Sequence, residues 1–216
     1  ISRDAVVHDR NSRPWPYYID RHELFINADN VPAGGYSTYK VVPGVRFGRN
    51  TIFGQACCTS KGQDIMCCHN ILENEHLRVK INSNGTFDLT QKATGKVFND
   101  MNYFEDAGDA GNYWIYHPPY HNRIYSTRNA QARTWIEENG PLCATVGIEI
   151  KMQLPEKCLV PKNYTGIDGE SRRVDNEKEL KIVTYLTLKR GSERVDIRTV
   201  IDNTVEDHRM RALFPT

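Results

Sequence analysis

The sequence has no long apolar run, no block of one charge sign and no helical periodicity. No stretch approaches the roughly 18 to 20 apolar residues that span a bilayer, and no basic start with an apolar segment matches an export signal. Lysine and arginine total 28 against 27 acidic residues, so the net charge of +1 gives no basic surface for nucleic acid or an anionic membrane. We therefore expect small neutral partners, and neither nucleic acid nor a membrane.

The length of 216 residues suffices for one large domain, or for a large domain and part of another, with a sizeable core. The chain starts at Ile1 without a methionine and stops within an apolar run that ends at Thr216. We therefore expect a piece of a longer protein.

Six cysteines are present, and four of them form two adjacent pairs, Cys57 with Cys58 and Cys67 with Cys68. Adjacent residues on an extended strand point to opposite faces, so each pair could give only one sulfur to a shared centre. The usual two-residue spacer of a zinc site is also missing. We predict free thiols on a hairpin or connector, with a zinc site and a disulfide between the pairs as the less favoured alternatives.

Apolar and polar side chains alternate over residues 144–154, 180–188 and 195–201, which predicts long half-buried β-strands. Between the last two strands, Gly191 and Ser192 suit the centre of a two-residue type II′ turn. The resulting register sets apolar residues opposite each other on one face: Leu188 with Val195, Leu186 with Ile197 and Ile182 with Ile201.

A second hairpin is predicted around residues 83–85. A two-residue loop would mix the faces by setting Ile81 opposite Asp88, whereas a three-residue loop with Gly85 in the left-handed conformation pairs apolar residues. The predicted register is Ile81 with Phe87, Lys80 with Asp88 and Val79 with Leu89. Another turn at residues 93–96 leads into the next strand, and successive strands with short turns predict an antiparallel all-β fold.

Two segments interrupt this rhythm. Residues 155–176 are polar and predict a long exposed excursion between paired strands. Residues 33–70 contain a predicted strand from Tyr36 to Val42, a break at Pro43 and Gly44, and then the paired cysteines. We place a domain boundary within residues 45–70 on this composition.

Four motifs occur in order along most of the chain: VPAGGYSTY at 31–39, LENE at 72–75, YFEDAGDAG at 103–111 and DHRMRALFP at 207–215. Together they resemble the C-terminal β region of bacterial family 38 glycoside hydrolases, the α-mannosidases. Ala107 stands where the family commonly has arginine, and Asn112 stands where it commonly has an acidic residue.

The resemblance implies an all-β fold in three parts. Residues 1–45 are expected to end a small β-sandwich, and residues 46–70 to form a linker with the paired cysteines. Residues 71–216 are expected to be the first part of a large antiparallel supersandwich of the galactose-mutarotase-like type.

The resemblance also implies what the chain does. In the family, a zinc-bearing α/β barrel and a helical bundle precede these β-domains, and the barrel supplies the aspartate nucleophile and the zinc ligands of a retaining mechanism. We therefore expect a non-catalytic domain of a bacterial, cytoplasmic α-mannosidase that braces the barrel, lines one side of the sugar cleft and holds no cofactor itself. An autonomous carbohydrate-binding module and a structural or oligomerisation domain are the alternatives.

Three carboxylates, Glu105, Asp106 and Asp109, lie within five positions and could form the acid/base pair of a glycosidase, which needs two carboxyls about 5 to 9 Å apart. The favoured interpretation is a tight loop, in which Gly108 and Gly111 take positive φ and the carboxylates cap backbone N–H groups. The resemblance agrees, because it places the nucleophile in the barrel.

Rings follow the acidic residues: Tyr113, Trp114, Tyr116, His117, Tyr120 and His121. Such rings can stack on a pyranose or donate to its hydroxyls, although Trp114 and Tyr116 could instead pack in the core. Tyr113 is similar in position to a tyrosine that the family's β-domain extends toward the mannose site. We predict no catalytic residue and no metal ligand, and four residues that bind substrate: Tyr113, Trp114, Asp109 and Tyr116.

The last motif places Arg209 and Arg211 on either side of Met210, after Asp207 and His208. Exposed charges are ordinary on the solvent face of a strand, so we predict a surface ion-pair ladder. The alternative is an arginine on the rim that faces the barrel.

Overall fold

The computed structural model describes residues 2–7, 17–21, 26–28, 31–40, 64–160 and 170–216. The chain divides into two compact units, Ile1–Asn50 and Thr51–Thr216. In the first unit, β1 (Ser2–Val7) and β2 (Tyr17–Arg21) form an antiparallel pair. Residues 36–40 are exposed and not in a strand, so this part of the predicted strand is wrong, and residues 41–42 lie outside the described ranges. The three-part domain division stays a prediction.

The second unit contains antiparallel strands and one short 3-10 helix, Thr127–Asn129, in its described residues. Its first strands are β3 (Met66–Cys68), β4 (Ile71–Glu73), β5 (Leu77–Ile81), β6 (Phe87–Gln91), β7 (Val97–Met101), β8 (Tyr103–Gly108) and β9 (Tyr125–Ser126). The later strands are β10 (Arg133–Asn139), β11 (Cys143–Pro155), β12 (Cys158–Leu159), β13 (Arg172–Arg173), β14 (Glu177–Lys189), β15 (Val195–Asp202) and β16 (His208–Leu213).

The strands form four sheets in the orders β3-β4-β5-β6-β7, β10-β11-β14-β15, β16-β8-β9 and β12-β13. The predicted antiparallel all-β fold is therefore confirmed. The five-stranded sheet begins with β3, which pairs with β4, and Ile65 and Met66 are buried.

Alternating side chains build the core, as the period of two predicts. Fully buried residues of the five-stranded sheet, such as Val79, join fully buried residues of the four-stranded sheet, such as Val146 and Leu186, in one apolar cluster. Burying a side chain of this size contributes about 1.5 to 3 kcal/mol relative to leaving it exposed. The two sheets are therefore held by the same apolar face that the sequence pattern predicts.

The three-residue hairpin between β5 and β6 is confirmed, with Ile81 opposite Phe87 and Val79 opposite Leu89. Gly85 has φ +85°, and its N–H donates to the Asn82 carbonyl at 3.0 Å. This is the left-handed glycine that the G1 bulge requires.

The register between β14 and β15 is also confirmed, with Leu188 opposite Val195. The predicted type II′ turn is wrong, because the Ser192 N–H donates to the Lys189 carbonyl, which makes Gly191, at φ +68°, the third residue of the turn. Tertiary hydrogen bonds hold this turn. The Asn74 amide donates to the carbonyls of Lys189 and Ser192 at 2.7 and 2.8 Å.

The excursion over residues 155–176 does connect the neighbouring strands β11 and β14. It is not wholly exposed, because Cys158, Ser171 and Arg173 are buried and the short strands β12 and β13 pair. Residues 161–169 lie outside the described ranges.

The described cysteines are free thiols: Cys67 and Cys68 are exposed, Cys143 is half-buried and Cys158 is buried. The other pair, Cys57 and Cys58, lies outside the described residues. Desolvation raises the pKa of the Cys67, Cys143 and Cys158 thiols, and a raised pKa lowers the thiolate fraction at neutral pH. Within the described ranges, no helix has the length and apolarity to cross a bilayer.

Candidate functional site

Residues 109–121, which we name the aromatic loop, leave the end of β8 and project their rings into solvent. Tyr113 is 93% exposed and Trp114 is 85% exposed. Tyr116 is 38% exposed, and its ring lies 4.5 Å from the guanidinium of Arg209. Core packing is therefore wrong for Trp114 and Tyr116, and the loop offers aromatic surface that no described residue buries.

Asp109 fixes the base of the aromatic loop. Its Oδ1 accepts hydrogen bonds from the N–H groups of Gly111 at 2.9 Å and His117 at 3.1 Å. Its own N–H donates to the Asp207 carbonyl at 2.8 Å. The structure thus places this predicted substrate-binding residue as a cap for backbone donors, which is what the tight-loop interpretation expects.

The two glycines of this motif are needed for space and not for positive φ. Neither Gly108 nor Gly111 has positive φ, so that detail of the prediction is wrong. A Cβ on Gly111 would lie 2.0 Å from the Ile115 carbonyl oxygen, and a Cβ on Gly108 would lie 3.0 Å from the Cys158 sulfur. Close approach of other atoms is therefore the reason for glycine at both positions, of side-chain atoms at Gly108 and mainly of backbone atoms at Gly111.

Asn112 fixes the tip of the aromatic loop. Its Oδ1 accepts from the N–H groups of Trp114 at 2.9 Å and Ile115 at 3.1 Å. The rings of Tyr113 and Trp114 meet edge to face, with centroids 5.4 Å apart. The amide oxygen accepts as a carboxylate oxygen would, so asparagine supports this turn where the family commonly has an acidic residue.

The far end of the aromatic loop is held by the returning arm of the excursion. Ser171, which is fully buried, accepts from the Tyr120 N–H through its Oγ at 2.8 Å and from the His121 N–H through its carbonyl at 3.0 Å. The Asn122 side chain accepts from the Gly108 N–H at 3.0 Å. Sequence reasoning missed Ser171, because a serine in a polar stretch carries no local signal of burial.

A buried charge cluster locks this arm to the sheet. Asp106 is fully buried, and its two oxygens lie 2.5 Å from His208 Nδ1 and 2.7 Å from Arg173 Nη2. The second contact is a close charge pair without the alignment of a hydrogen bond. His208 Nε2 also lies 2.9 Å from Asn203 Oδ1. Sequence reasoning also missed Arg173, because its partner Asp106 lies on a strand far away in the chain.

These contacts indicate the roles of Glu105 and Asp106 and of the motif at residues 207–215. Asp106 is used in the buried cluster, and Glu105 pairs with Arg211 at 3.0 Å on the surface. The surface pair agrees with the predicted ladder, whereas the side chain of His208 is only 6% exposed and does not belong to it. The structure therefore favours structural roles for the acidic residues.

The aromatic loop presents exposed rings next to carboxylates that already have structural partners. Its exposed rings can stack on the C–H face of a sugar ring. Asp109 and Asp106 are engaged in capping and in ion pairing. Residues 64–160 and 170–216, with the shorter described stretches, contain no group of three or more His, Cys, Asp or Glu side chains arranged to hold a metal.

Fold and loop together define an antiparallel β-domain with a projecting aromatic surface. The profile of the Glycosyl hydrolases family 38 C-terminal domain matches residues 72–216, and the chain belongs to this family. A protein of Halalkalibacterium halodurans, named provisionally as a mannosylglycerate hydrolase, is 35% identical over 152 residues, which cover 68% of this chain and 17% of that protein.

Two solved structures agree. An α-mannosidase from Enterococcus faecalis has a TM-score of 0.68 and 30% identity, covering 72% of this chain and 18% of that one. A family 38 glycosyl hydrolase from the same species has a TM-score of 0.67 and 29% identity, covering 72% of this chain and 19% of that one. The chain thus spans less than a fifth of the length of these relatives.

Proposed function

We propose that this chain is the non-catalytic β-domain of a retaining, zinc-dependent α-mannosidase. It braces the catalytic barrel and the helical bundle and lines one side of the sugar cleft with the aromatic loop. Family membership and the names of the relatives, an α-mannosidase and a provisional mannosylglycerate hydrolase, support a mannose glycoside as substrate. The observation that carries the proposal is the projection of Tyr113 and Trp114 from a loop fixed at both ends.

The residues of this chain bind and orient the sugar in this proposal. Tyr113 and Trp114 stack on the mannose ring, since paired rings at right angles offer one face and one edge. Tyr116, stacked with Arg209, supports the inner side of the loop. Asp109 acts by holding the backbone, and any direct contact between its carboxylate and a hydroxyl stays a prediction.

The zinc ion implied by the family resemblance belongs to the barrel in this proposal. The described residues of this chain offer no set of three metal-ligating side chains, so they do not fit the ion, and we derive no step through it. The contribution of the chain is therefore to position the sugar. Rings that are fixed in advance hold the bound sugar in one orientation relative to the barrel.

Kinetics of the full-length protein that contains this domain test the proposal. Tyr113→Ala and Trp114→Ala should each lower kcat/KM on an aryl α-mannoside about fivefold to tenfold, because one stacking contact is lost. Tyr36→Ala is a matched control, since Tyr36 is 87% exposed and lies outside the aromatic loop. Unchanged kcat/KM in both loop variants would remove the proposal.

The isolated 216-residue chain separates this role from the alternatives. We expect no turnover of an aryl α-mannoside, and zinc-dependent turnover from these residues alone would overturn the non-catalytic role. Titration of the isolated chain with mannobiose tests the autonomous binding module. Saturable binding that Tyr113→Ala weakens would favour the module, and a flat titration would exclude it. A homo-oligomer stays a prediction that light scattering can test.

A further inference from the structure

A second aromatic feature crosses the outward face of the four-stranded sheet. Four residues stand directly opposite one another across its strands: Trp135 on β10, Gly147 on β11, Tyr185 on β14 and Arg198 on β15. These four residues, the aromatic row, lie on the face opposite the core, because neighbouring positions such as Val146 are fully buried. The row is separate in the chain from the aromatic loop.

Gly147 allows the indole to lie directly on the sheet. A Cβ at this position would stand 2.2 Å from Trp135 Cε2, and Gly147 does not have positive φ. Glycine inside a strand is less favourable than alanine, and it often marks a site of close approach. The glycine thus serves the position of the ring and not the path of the backbone.

The remaining members of the row fix its geometry. Trp135 Nε1 donates to Glu137 Oε2 at 2.8 Å, so the polar edge of the indole is already satisfied. The Tyr185 ring meets the indole edge to face at 6.1 Å, and the Arg198 guanidinium lies 4.3 Å from the centre of the Tyr185 ring. The rings are therefore oriented before any ligand arrives.

A groove of about 310 Å³ is lined by Tyr185 and Arg198 of the row and, outside the row, by Glu137, Thr145, Thr187, Asp196 and Ile197. The hydroxyls of Thr145 and Thr187 lie 2.8 Å apart, and Asp196 contacts Lys189 at 2.9 Å and Arg194 at 3.1 Å. The hydrogen bond from Lys189 lowers the pKa of Asp196, which keeps this carboxylate charged as an acceptor. The groove thus offers aromatic surface, hydroxyls and charged groups of both signs.

We propose that this groove is a second saccharide site, which takes a neutral pyranoside against the Tyr185 and Arg198 end of the aromatic row, while Trp135 positions the Tyr185 ring. A volume at the lower end of ligand pockets suits one sugar ring. Glu137 and Asp196 accept from sugar hydroxyls while Arg198 donates, and the mixed charge disfavours an ionic ligand. The choice of an α-mannoside as the sugar rests on the proposed function.

Calorimetric titration of the full-length protein with a thio-linked α-mannobiose, which resists hydrolysis, tests this site. We expect two binding events per chain, one at the catalytic cleft and one at the groove. Trp135→Ala and Arg198→Ala should each weaken the groove event about tenfold, because each disrupts the row. Val200→Ala, on the same outward face but outside the groove, is the matched control.

The outcomes separate this inference from the proposed function. The proposed saccharide site would be contradicted by a single binding event per chain, or by two events that Trp135→Ala and Arg198→Ala leave unchanged. The row would then only stabilise the sheet. Arg198 is exposed, so its variant keeps the test valid if Trp135→Ala does not fold. If two binding events occur and Tyr113→Ala changes neither of them, the aromatic loop does not bind the sugar. The saccharide site in the groove would still stand.

Discussion

At the scale of single residues, the buried charge cluster is the most demanding feature of the domain. Asp106 has no exposed surface, and the side chain of Arg173 is only 4% exposed. Moving such charges out of water is costly, so each depends on its partner. The cluster joins β8 to β13 and thereby ties the arm that holds the aromatic loop.

Asp106→Ala should lower the free energy of unfolding by about 3 to 5 kcal/mol, because it leaves the Arg173 guanidinium buried without a countercharge. Glu105→Ala is the matched control, since Glu105 pairs with the exposed Arg211 and should cost less than about 1 kcal/mol. Urea unfolding measures both values. An equal decrease in the free energy of unfolding in the two variants would show that burial does not increase the contribution of the Asp106 pair to stability.

At the scale of elements, two hairpin glycines share a conformation but differ in surroundings. Gly85 has φ +85°, and a Cβ there would lie 2.6 Å from Ile150 Cδ1. Gly95 has φ +70° with open space around it. The first hairpin therefore packs its turn against the opposite sheet, whereas the second turns in solvent.

Gly85→Ala should cost about 2 to 4 kcal/mol, because left-handed strain and overpacking against Ile150 add together. Gly95→Ala carries only the strain and should cost about 1 kcal/mol. Thermal or urea unfolding of the two variants measures the difference. A cost for Gly95→Ala as large as that for Gly85→Ala would mean that conformation alone sets the loss and that the contact with Ile150 is irrelevant.

The sequence predicts strands and registers well, because a period of two leaves only one way to bury the apolar face. The three-residue hairpin at Gly85 follows from this rule, since the other loop length would expose Phe87 or bury Asp88. The turn at Gly191 does not, because the carbonyls of Lys189 and Ser192 accept hydrogen bonds from Asn74, which lies in the distant connection between β4 and β5.

The site is less predictable than the fold, for the same reason. The exposed rings of the aromatic loop are visible in the sequence, but the residue that holds them, Ser171, lies more than fifty positions away. Gly147 looks like a defect in an otherwise regular strand until Trp135 is placed above it. Residues that are distant in sequence and contact each other only in the folded chain produce no local sequence pattern from which the contact could be predicted.

At the scale of the whole molecule, several ion pairs depend on ionised carboxylates. Backbone hydrogen bonds lower the pKa of Glu75, and hydrogen bonds from lysines lower the pKa values of Glu149, Glu156 and Asp196. Each lowered pKa means that the unfolded chain binds more protons than the folded one in acid. These groups therefore stabilise the fold above the ordinary carboxyl range and lose that contribution as the pH falls.

The urea midpoint should be steady near neutral pH and fall as the pH drops below about 4.5. Glu156→Gln should make the urea midpoint fall less steeply in acid. The variant has no carboxylate at that position whose ionised form Lys178 and Asn176 could stabilise. Glu177→Gln serves as the control, since Glu177 is an exposed carboxylate at the start of β14, next to Lys178. A midpoint that rises on acidification would contradict the sign of this linkage.

The position of β15 has a consequence for handling the domain. β15 ends the four-stranded sheet, and within the described residues no further strand lies beside it. An open edge can template pairing with a second molecule, and Ile197 and Ile201 would reward such self-assembly. Asp196 and Arg198 on this strand, and Arg194 just before it, oppose such pairing by their charge. Neutralising these charges would therefore make the edge more prone to aggregation.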